Sequence, residues 1–520
     1  MNNSLTSNVS RRALLGTGLG VAAMAALSAC GRSAVKESSA GGSSGVKAVI
    51  LTQSSDIQPA SFMAQNNPNF SLMRTAFNTL TSYDRKTLEP QPQLAKSWEF
   101  SNENKTLTMK LRDDVTFHNG EKFTSADVAA AIDFLKLDTT SSQVKHNAKI
   151  ITQVDASVPD TVVFTLEHGV SNLFDMFEMM SIPQKDSIAD LVAGRSFIGT
   201  GPFKVDSYKP GQGLSLSKNE KYFLGAPKID TFEIQIVAES SSRVSSLKTG
   251  GSQISMDLAP LDAVSFKGDP KVENTIVDTY DSAFYVASNV SIAPLDNKEI
   301  RKAIAYAVDR EAILTKALSG IGQVSSLPWS QGSPAFDQAK ADTYKQDLSK
   351  AKAMVEAAGA TGQEVKIHFI ATQAGFAAVA QIVQEGVNAT GLKATLVPLQ
   401  PADFQKGLSG EGLPGMFVSG HGFGQLNPAT LLKGAFPFNA GKNASRFDNA
   451  DYKALAAAVW QNTDPAKAPE IYSKVNDFLL DQQFVSNLVS SAHTYTISTK
   501  LKGLDYTELA YLNLDKAELA

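Results

Sequence analysis

The sequence holds one cysteine in 520 residues, which excludes an intrachain disulfide and a cysteine-based zinc site. Histidine is also scarce. Its six copies are scattered, with no H-E-x-x-H pattern and no P-loop lysine beside a glycine-rich loop. Nothing in that set points to a catalytic residue, a metal or a cofactor. No charge sign dominates: 48 Lys plus Arg stand against 52 Asp plus Glu, a net charge of −4. A chain so balanced is not a nucleic-acid binder held by phosphate neutralisation. What remains is ordinary globular composition, 43% hydrophobic with 36 Gly and 21 Pro, which excludes collagen-like, coiled-coil and wholly disordered chains. At roughly 150 residues per domain, the length allows about three domains.

The first 29 residues lack acidic side chains and carry Arg11 and Arg12 ahead of an apolar stretch, 13–29, rich in Ala and Gly. That stretch is short for a membrane span, which needs about 20 residues, and reads as an export signal. Ser10-Arg11-Arg12-Ala13-Leu14-Leu15 resembles a twin-arginine signal, with the general secretory route as the alternative. Leu27-Ser28-Ala29-Cys30-Gly31 resembles the bacterial lipobox, so Cys30 is expected to be acylated and to become the first residue after cleavage. Residues 30–45, rich in Ser and Gly and without large apolar side chains, read as a flexible tether. Gly41-Gly42-Ser43-Ser44-Gly45 fits G-x-S-x-G on paper only, because hydrolase chemistry needs a strained strand-to-helix turn that a linker does not offer.

From Val46 onward the pattern is α/β. Residues 46–52 are nearly continuous apolar and read as a buried strand. Residues 106–112, 161–167 and 232–236 alternate, as half-buried strands do. Thr124 to Asp127 open a capped helix that runs to 137. Asp296 or Asn297 caps a helix expected over 298–319, and Ser349 one ending at Gly359. Residues 365–370, a helix over 376–390 and residues 392–399 form a βαβ unit. Two further helices are expected over 449–461 and 465–482.

Several motifs then occur in order. They are Pro92-Gln93-Leu94-Ala95-Lys96-Ser97-Trp98-Glu99, the run from Leu111 to Gly120 through Phe117-His118, and Gly199-Thr200-Gly201-Pro202-Phe203. Asn219 to Tyr222 with Pro227-Lys228-Ile229-Asp230 follows, and then Ile300 to Ile313 around Asp309-Arg310. Together they resemble bacterial extracellular solute-binding proteins of family 5, the oligopeptide- and dipeptide-binding lipoproteins of ABC importers, over nearly all of the chain after residue 45.

The resemblance implies a periplasmic-binding-protein-like α/β fold of type II, in its large three-lobed form with a hinged ligand cleft. The first lobe would comprise residues 46–82, 198–287 and 491–520, the second 83–197, and the third 288–490. A solute would bind between the first and third lobes, which close on it by hinge motion. The expected partners are that solute and the permease with its ATPases. The expected state is a monomer tethered by lipid to the outer face of the bacterial cytoplasmic membrane. A secreted lipoprotein hydrolase, or a sensor reusing the fold, is the alternative from another class.

Family ligands lie near the first strand and near a glycine-rich stretch of the third lobe. The corresponding candidates are Gln53, Ser54, Asp56 and Gln65 on one side and Gly420, His421, Gly422, Phe423, Gly424 and Gln425 on the other. Glycines there suit a loop whose amides approach a ligand, or simply a surface turn. Phe423 and Trp329 could stack on a ligand or serve as core. Aligned on Asn427-Pro428, Gly424 falls where the peptide binders carry an Asp for the α-ammonium, and His421 at their aromatic position. Losing that carboxylate removes a contact of about 1.5–3 kcal/mol, which leaves a sugar, a modified peptide or another polar metabolite as alternatives to an ordinary peptide. His118 reads as structural, and Asp113-Asp114 as a solvated turn.

Overall fold

A computed structural model describes residues 46–64, 67–276, 279–409 and 412–520. The export signal, Cys30, the tether and Gln65 lie outside the described residues. Residues 46–520 form one compact unit built on three larger sheets.

The first strand, Ala48–Gln53, sits inside a seven-stranded sheet. It runs parallel to Thr231–Ile236, with Leu51 opposite Ile234, and to Ile254–Met256. Gly213–Lys218 and Phe203–Lys209 extend one side; Thr494–Ser498 and Val272–Ile276 extend the other. A four-stranded antiparallel sheet holds Ala95–Ser101, Thr106–Leu111, Thr161–Leu166 and Ile151–Val158. Its alternation is the one read from the sequence. Leu107, Met109, Val162 and Phe164 are fully buried, while their neighbours along each strand are more exposed. A six-stranded sheet runs in the order Gln323–Val324, Val485–Ser491, Ser282–Ser288, Met416–His421, Glu364–Ile370 and Lys393–Leu399. Its last two strands are parallel and joined through the helix Ala374–Ala389, the expected βαβ unit.

Three expectations need correction. Strand Ser282–Ser288 pairs on both sides within the six-stranded sheet, so the chain crosses between sheets before Ser282, not at Ala287. The helix capped by Asn297 runs only over Lys298–Ala307. It breaks because Asp309 caps a new turn, its carboxylate accepting the Ala312 amide at 2.8 Å. That break turns the buried Arg310 guanidinium inward onto the carbonyls of Ala305, Tyr344 and Asn487. The cap of Leu348–Ala357 is Asp347, which accepts from the Lys350 amide, and not Ser349.

The Gly199–Gly201 segment shows why its motif needs small residues. A Cβ on Gly199 would lie 2.1 Å from the Ala76 carbonyl oxygen, and one on Gly201 2.7 Å from the Thr75 oxygen. His118 packs on the same segment. Its Nε2 donates to the Gly201 oxygen at 3.0 Å and its Nδ1 accepts the Gly199 amide at 3.4 Å. Burial lowers its pKa from 6.5 to about 4. The folded state therefore refuses a proton that the unfolded chain accepts below pH 6.5. Stability from this group is complete above that pH and is lost toward pH 4, by about 1.4 kcal/mol per pH unit. In urea denaturation, the stability gap between wild type and His118→Gln should shrink by about 2 kcal/mol from pH 6.5 to 5. An unchanged gap would show that His118 titrates normally in the fold.

Candidate functional site

Two segments carry the chain between the seven- and six-stranded sheets: the one leading into Ser282–Ser288, and the short link from Ser491 to Thr494. Strand Met416–His421 lies against the first crossing, His421 opposite Ala283. The glycine-rich loop that follows this strand is thereby placed over Asp281. Gly424 donates its amide to Asp281 Oδ1 at 3.0 Å, and its carbonyl accepts the Ser330 amide at 3.0 Å. A Cβ on Gly424 would stand 2.7 Å from the Pro328 oxygen, so no side chain fits there. Phe423 is held at φ 72 and Tyr280 at φ 49, and Asp257 nearby has φ 46. Non-glycine residues in that region store strain, and such strain gathers at binding sites.

Three acidic and imidazole groups meet at the crossings. His493 Nδ1 lies 3.0 Å from Asp257 Oδ2, and the Thr494 amide donates to Asp257 Oδ1 at 3.0 Å. Burial opposes the His493 imidazolium, but Asp257 and then Asp281 outweigh it and raise its pKa. Burial raises Asp281 to about 6, against the pull of His493 and the amides of Phe423 and Gly424. Phe70 sits edge-on to His493 at 5.4 Å and to Tyr511 at 4.9 Å.

The sequence candidates fall into two groups. On the loop, the Phe423 ring is buried, edge-on to His421 at 5.8 Å. Burial lowers the His421 pKa to about 4, so its ring is neutral. Gln425 is buried and donates Nε2 to the Glu508 carbonyl of the C-terminal segment. Near the first strand, the polar groups of Gln53 and Asp56 are engaged within the protein. Gln53 donates to the oxygens of Ser55 and Pro68 and accepts from Ser71 Oγ at 2.6 Å. Asp56 accepts from Tyr208 Oη at 2.9 Å, the Gly211 amide at 2.6 Å and the Ile57 amide at 2.9 Å. Ser54 is exposed. Trp329 is fully buried, its indole donating to Asn476 Oδ1 at 2.6 Å, and it lies behind the loop beside Pro328 and Ser330.

One further feature marks the region. Among the described residues, His421 Nε2, Gln425 Oε1, Ser330 Oγ, Thr279 Oγ1, Ser490 Oγ and Tyr511 Oη are buried without a hydrogen-bond partner. Gln425 belongs to the glycine-rich loop, His421 to the end of the strand before it, Ser330 to the segment packed against it, Thr279 to the first crossing, Ser490 to strand Val485–Ser491 and Tyr511 to the C-terminal segment, while Gln143, His146 and Asn172 hold other such atoms elsewhere. Buried polar groups are ordinarily satisfied, so unpartnered ones beside the crossing are groups that a polar ligand would complete. Sequence reasoning missed Asp281, His493 and Tyr511, because no local pattern distinguishes them. A groove of about 540 Å³ opens elsewhere, between Phe100, Phe174, Pro465 and Tyr472, and borders the loop's C-terminal end only at Asn427. Among the described residues no helix is long and apolar enough to cross a membrane.

Two α/β sheets bridged by two crossings, with a polar cluster at the bridges, define a periplasmic-binding-protein fold. The structure is similar to that of AgaA from A. tumefaciens R10, solved in complex with agropinic acid. The TM-score is 0.80 at 21% identity, covering 91% of this chain and 99% of that one. Residues 89–443 match the family described as bacterial extracellular solute-binding proteins, family 5 Middle, and the chain belongs to that family. It is 27% identical over 456 residues to di/tripeptide-binding protein 1 of Pseudomonas aeruginosa, covering 80% of this chain and 83% of the relative. It is 25% identical over 476 residues to heme-binding protein A of Haemophilus influenzae, covering 84% and 85%. The protein is a solute-binding protein of an ABC transporter, extracellular or periplasmic, and the family is not one of enzymes. The hydrolase alternative falls with that assignment.

Proposed function

We propose that the protein is the receptor lipoprotein of an ABC importer and captures a peptide or peptide-like solute between its first and third lobes. The lobes are those carrying the seven- and six-stranded sheets. They close about the crossings at 279–282 and 491–494, and the closed form delivers the solute to the permease. Cys30, acylated, holds the receptor to the membrane, since two acyl chains tether a soluble body stably. The observation that carries this reading is the set of unpartnered buried polar atoms on His421, Gln425, Thr279, Ser490 and Tyr511, from the loop region, the first crossing, the strand ahead of the second and the C-terminal segment. A solute touching all of them favours the closed population, because it gains those contacts only when the lobes are shut. The kinship with a di/tripeptide-binding protein supports a peptide. One observation favours a different polar solute: Gly424 has no room for the carboxylate that the peptide binders carry there.

Thermal denaturation with an equimolar dipeptide and tripeptide library tests the reading. A binder at one hundred times its Kd adds about 2.7 kcal/mol of stability. Phe423→Ala should weaken the library's effect at least tenfold in apparent Kd while the protein stays folded. If substitutions of Phe423 and of His421 both leave it unchanged, the loop is not in the site.

A further inference from the structure

The body built on the four-stranded sheet is inserted, in chain order, between Ala48–Gln53 and Phe203–Lys209 of the seven-stranded sheet. Buried contacts fix it to that side. Arg74 pairs with Glu178, the Ile182 amide donates to the Asn78 oxygen at 2.9 Å, and His118 packs on Gly199–Gly201. It meets the six-stranded body by contact alone, along a polar seam. Thr430 Oγ1, on the helix Pro428–Gly434, donates to Asp175 of the helix Leu173–Met179 and accepts from Asn172 Nδ2 at 2.8 Å. Ser171 donates its amide to the Trp460 oxygen at 2.8 Å and its hydroxyl to the Val459 oxygen at 2.9 Å. Asn427 Nδ2 donates to the Ser171 oxygen at 3.2 Å, and the Trp460 indole to Asn147 Oδ1 at 3.0 Å. The backbones are close as well: a Cβ on Gly434 would stand 1.8 Å from the Gln143 oxygen.

Asn147, Asn172, Asp175 and Thr430 are all buried, so these groups depend on one another for partners. A hinge between the seven- and six-stranded bodies carries the four-stranded body with the former, and opening therefore parts the seam. We propose that the seam is a latch: it holds the six-stranded body shut against the four-stranded one and contributes to solute affinity without touching the solute. The inference rests on the reading that these bodies close by hinge motion. Binding selects the closed form, so apparent affinity follows the fraction of protein that is closed.

The test titrates an equimolar library of free dipeptides by calorimetry into wild type, Thr430→Val, Thr430→Ser and Trp460→Phe. Thr430→Val removes the hydroxyl shared by Asp175 and Asn172, and Trp460→Phe leaves Asn147 Oδ1 unpaired from a helix that does not follow the glycine-rich loop. Each should weaken binding at least about fivefold, the cost of unpairing a buried polar group in the closed form alone. Thr430→Ser, which keeps the hydroxyl, should bind close to wild type. Unchanged binding in folded Thr430→Val and Trp460→Phe overturns the inference; compaction of wild type by the library would then leave the hinge reading standing without the latch. A loss confined to Thr430→Val also overturns it, since the effect would lie in the adjoining loop. If the library does not bind wild type, the peptide reading fails and small-angle scattering of the solute-free proteins decides. Thr430→Val and Trp460→Phe should then have a larger radius of gyration than wild type, and equal radii overturn the latch. Should either variant not fold by circular dichroism, Ser171→Ala, which removes one hydroxyl from the seam, takes its place with the same expected result.

Discussion

Replacing Arg74 by Met lowers the stability of the fold by about 3–5 kcal/mol in equilibrium denaturation at pH 7. The Arg74 and Glu178 side chains are 6% and 1% exposed and form an ion pair. Arg74 also donates to the Glu178 carbonyl at 3.2 Å and to Thr79 Oγ1, and the second Glu178 oxygen accepts the Tyr83 amide at 2.8 Å. Burial raises the Glu178 carboxyl, and Arg74 is the main force against that rise. Glu508 lies against the same group. Burial first, and the charge of Glu178 second, raise its pKa well above the ordinary range. Removing the guanidinium leaves a buried carboxylate with no cation, which is where the large cost arises. Pairing Arg74→Met with Glu178→Gln should restore part of the loss, since the uncompensated charge goes with it. A loss below about 1 kcal/mol for the single variant would match an exposed pair and contradict the buried one.

Trp329→Ala should cost about 3–5 kcal/mol, the range for deleting a large aromatic from a core. The residue is wholly enclosed, and its indole NH is bound to Asn476, whose own amide donates to the Ala335 oxygen at 2.9 Å. It therefore braces the segment that presents Ser330 to Gly424. Trp329→Phe keeps most of the volume and leaves Asn476 Oδ1 unpaired, a cost of about 1–3 kcal/mol. Denaturation and library titration on the same variant separate bracing from stacking. With bracing, Trp329→Phe loses stability and binds within a few-fold of wild type. A folded Trp329→Phe that no longer binds would put the ring against the solute.

Strands and long helices were legible wherever burial follows a simple period. Leu107, Met109, Val162 and Phe164 alternate because one sheet face is closed, and that alternation is written in the chain. Helix ends were less legible where two acceptors compete. Asp347 takes the cap that Ser349 was expected to provide, and Asp309 starts a new turn inside an otherwise continuous apolar stripe. The loop at 420–425 stood out because glycine recurs at every second position, 420, 422 and 424, beside a strand. Its partners did not. Asp281 and Gly424 are 143 positions apart, and His493 and Asp257 are 236 apart. Nothing local to Asp281 or His493 signals the crossing that brings them together. Gln53 and Asp56 illustrate the converse: polar residues after a first strand look available, yet folding gives their side chains partners in distant segments.

Closure on a solute is tested most directly by small-angle scattering of the protein, with and without the free dipeptide library at a concentration that saturates the thermal shift. Capture between two hinged lobes predicts a smaller radius of gyration in the presence of the library. An unchanged radius, alongside a raised melting midpoint under the same conditions, would contradict it.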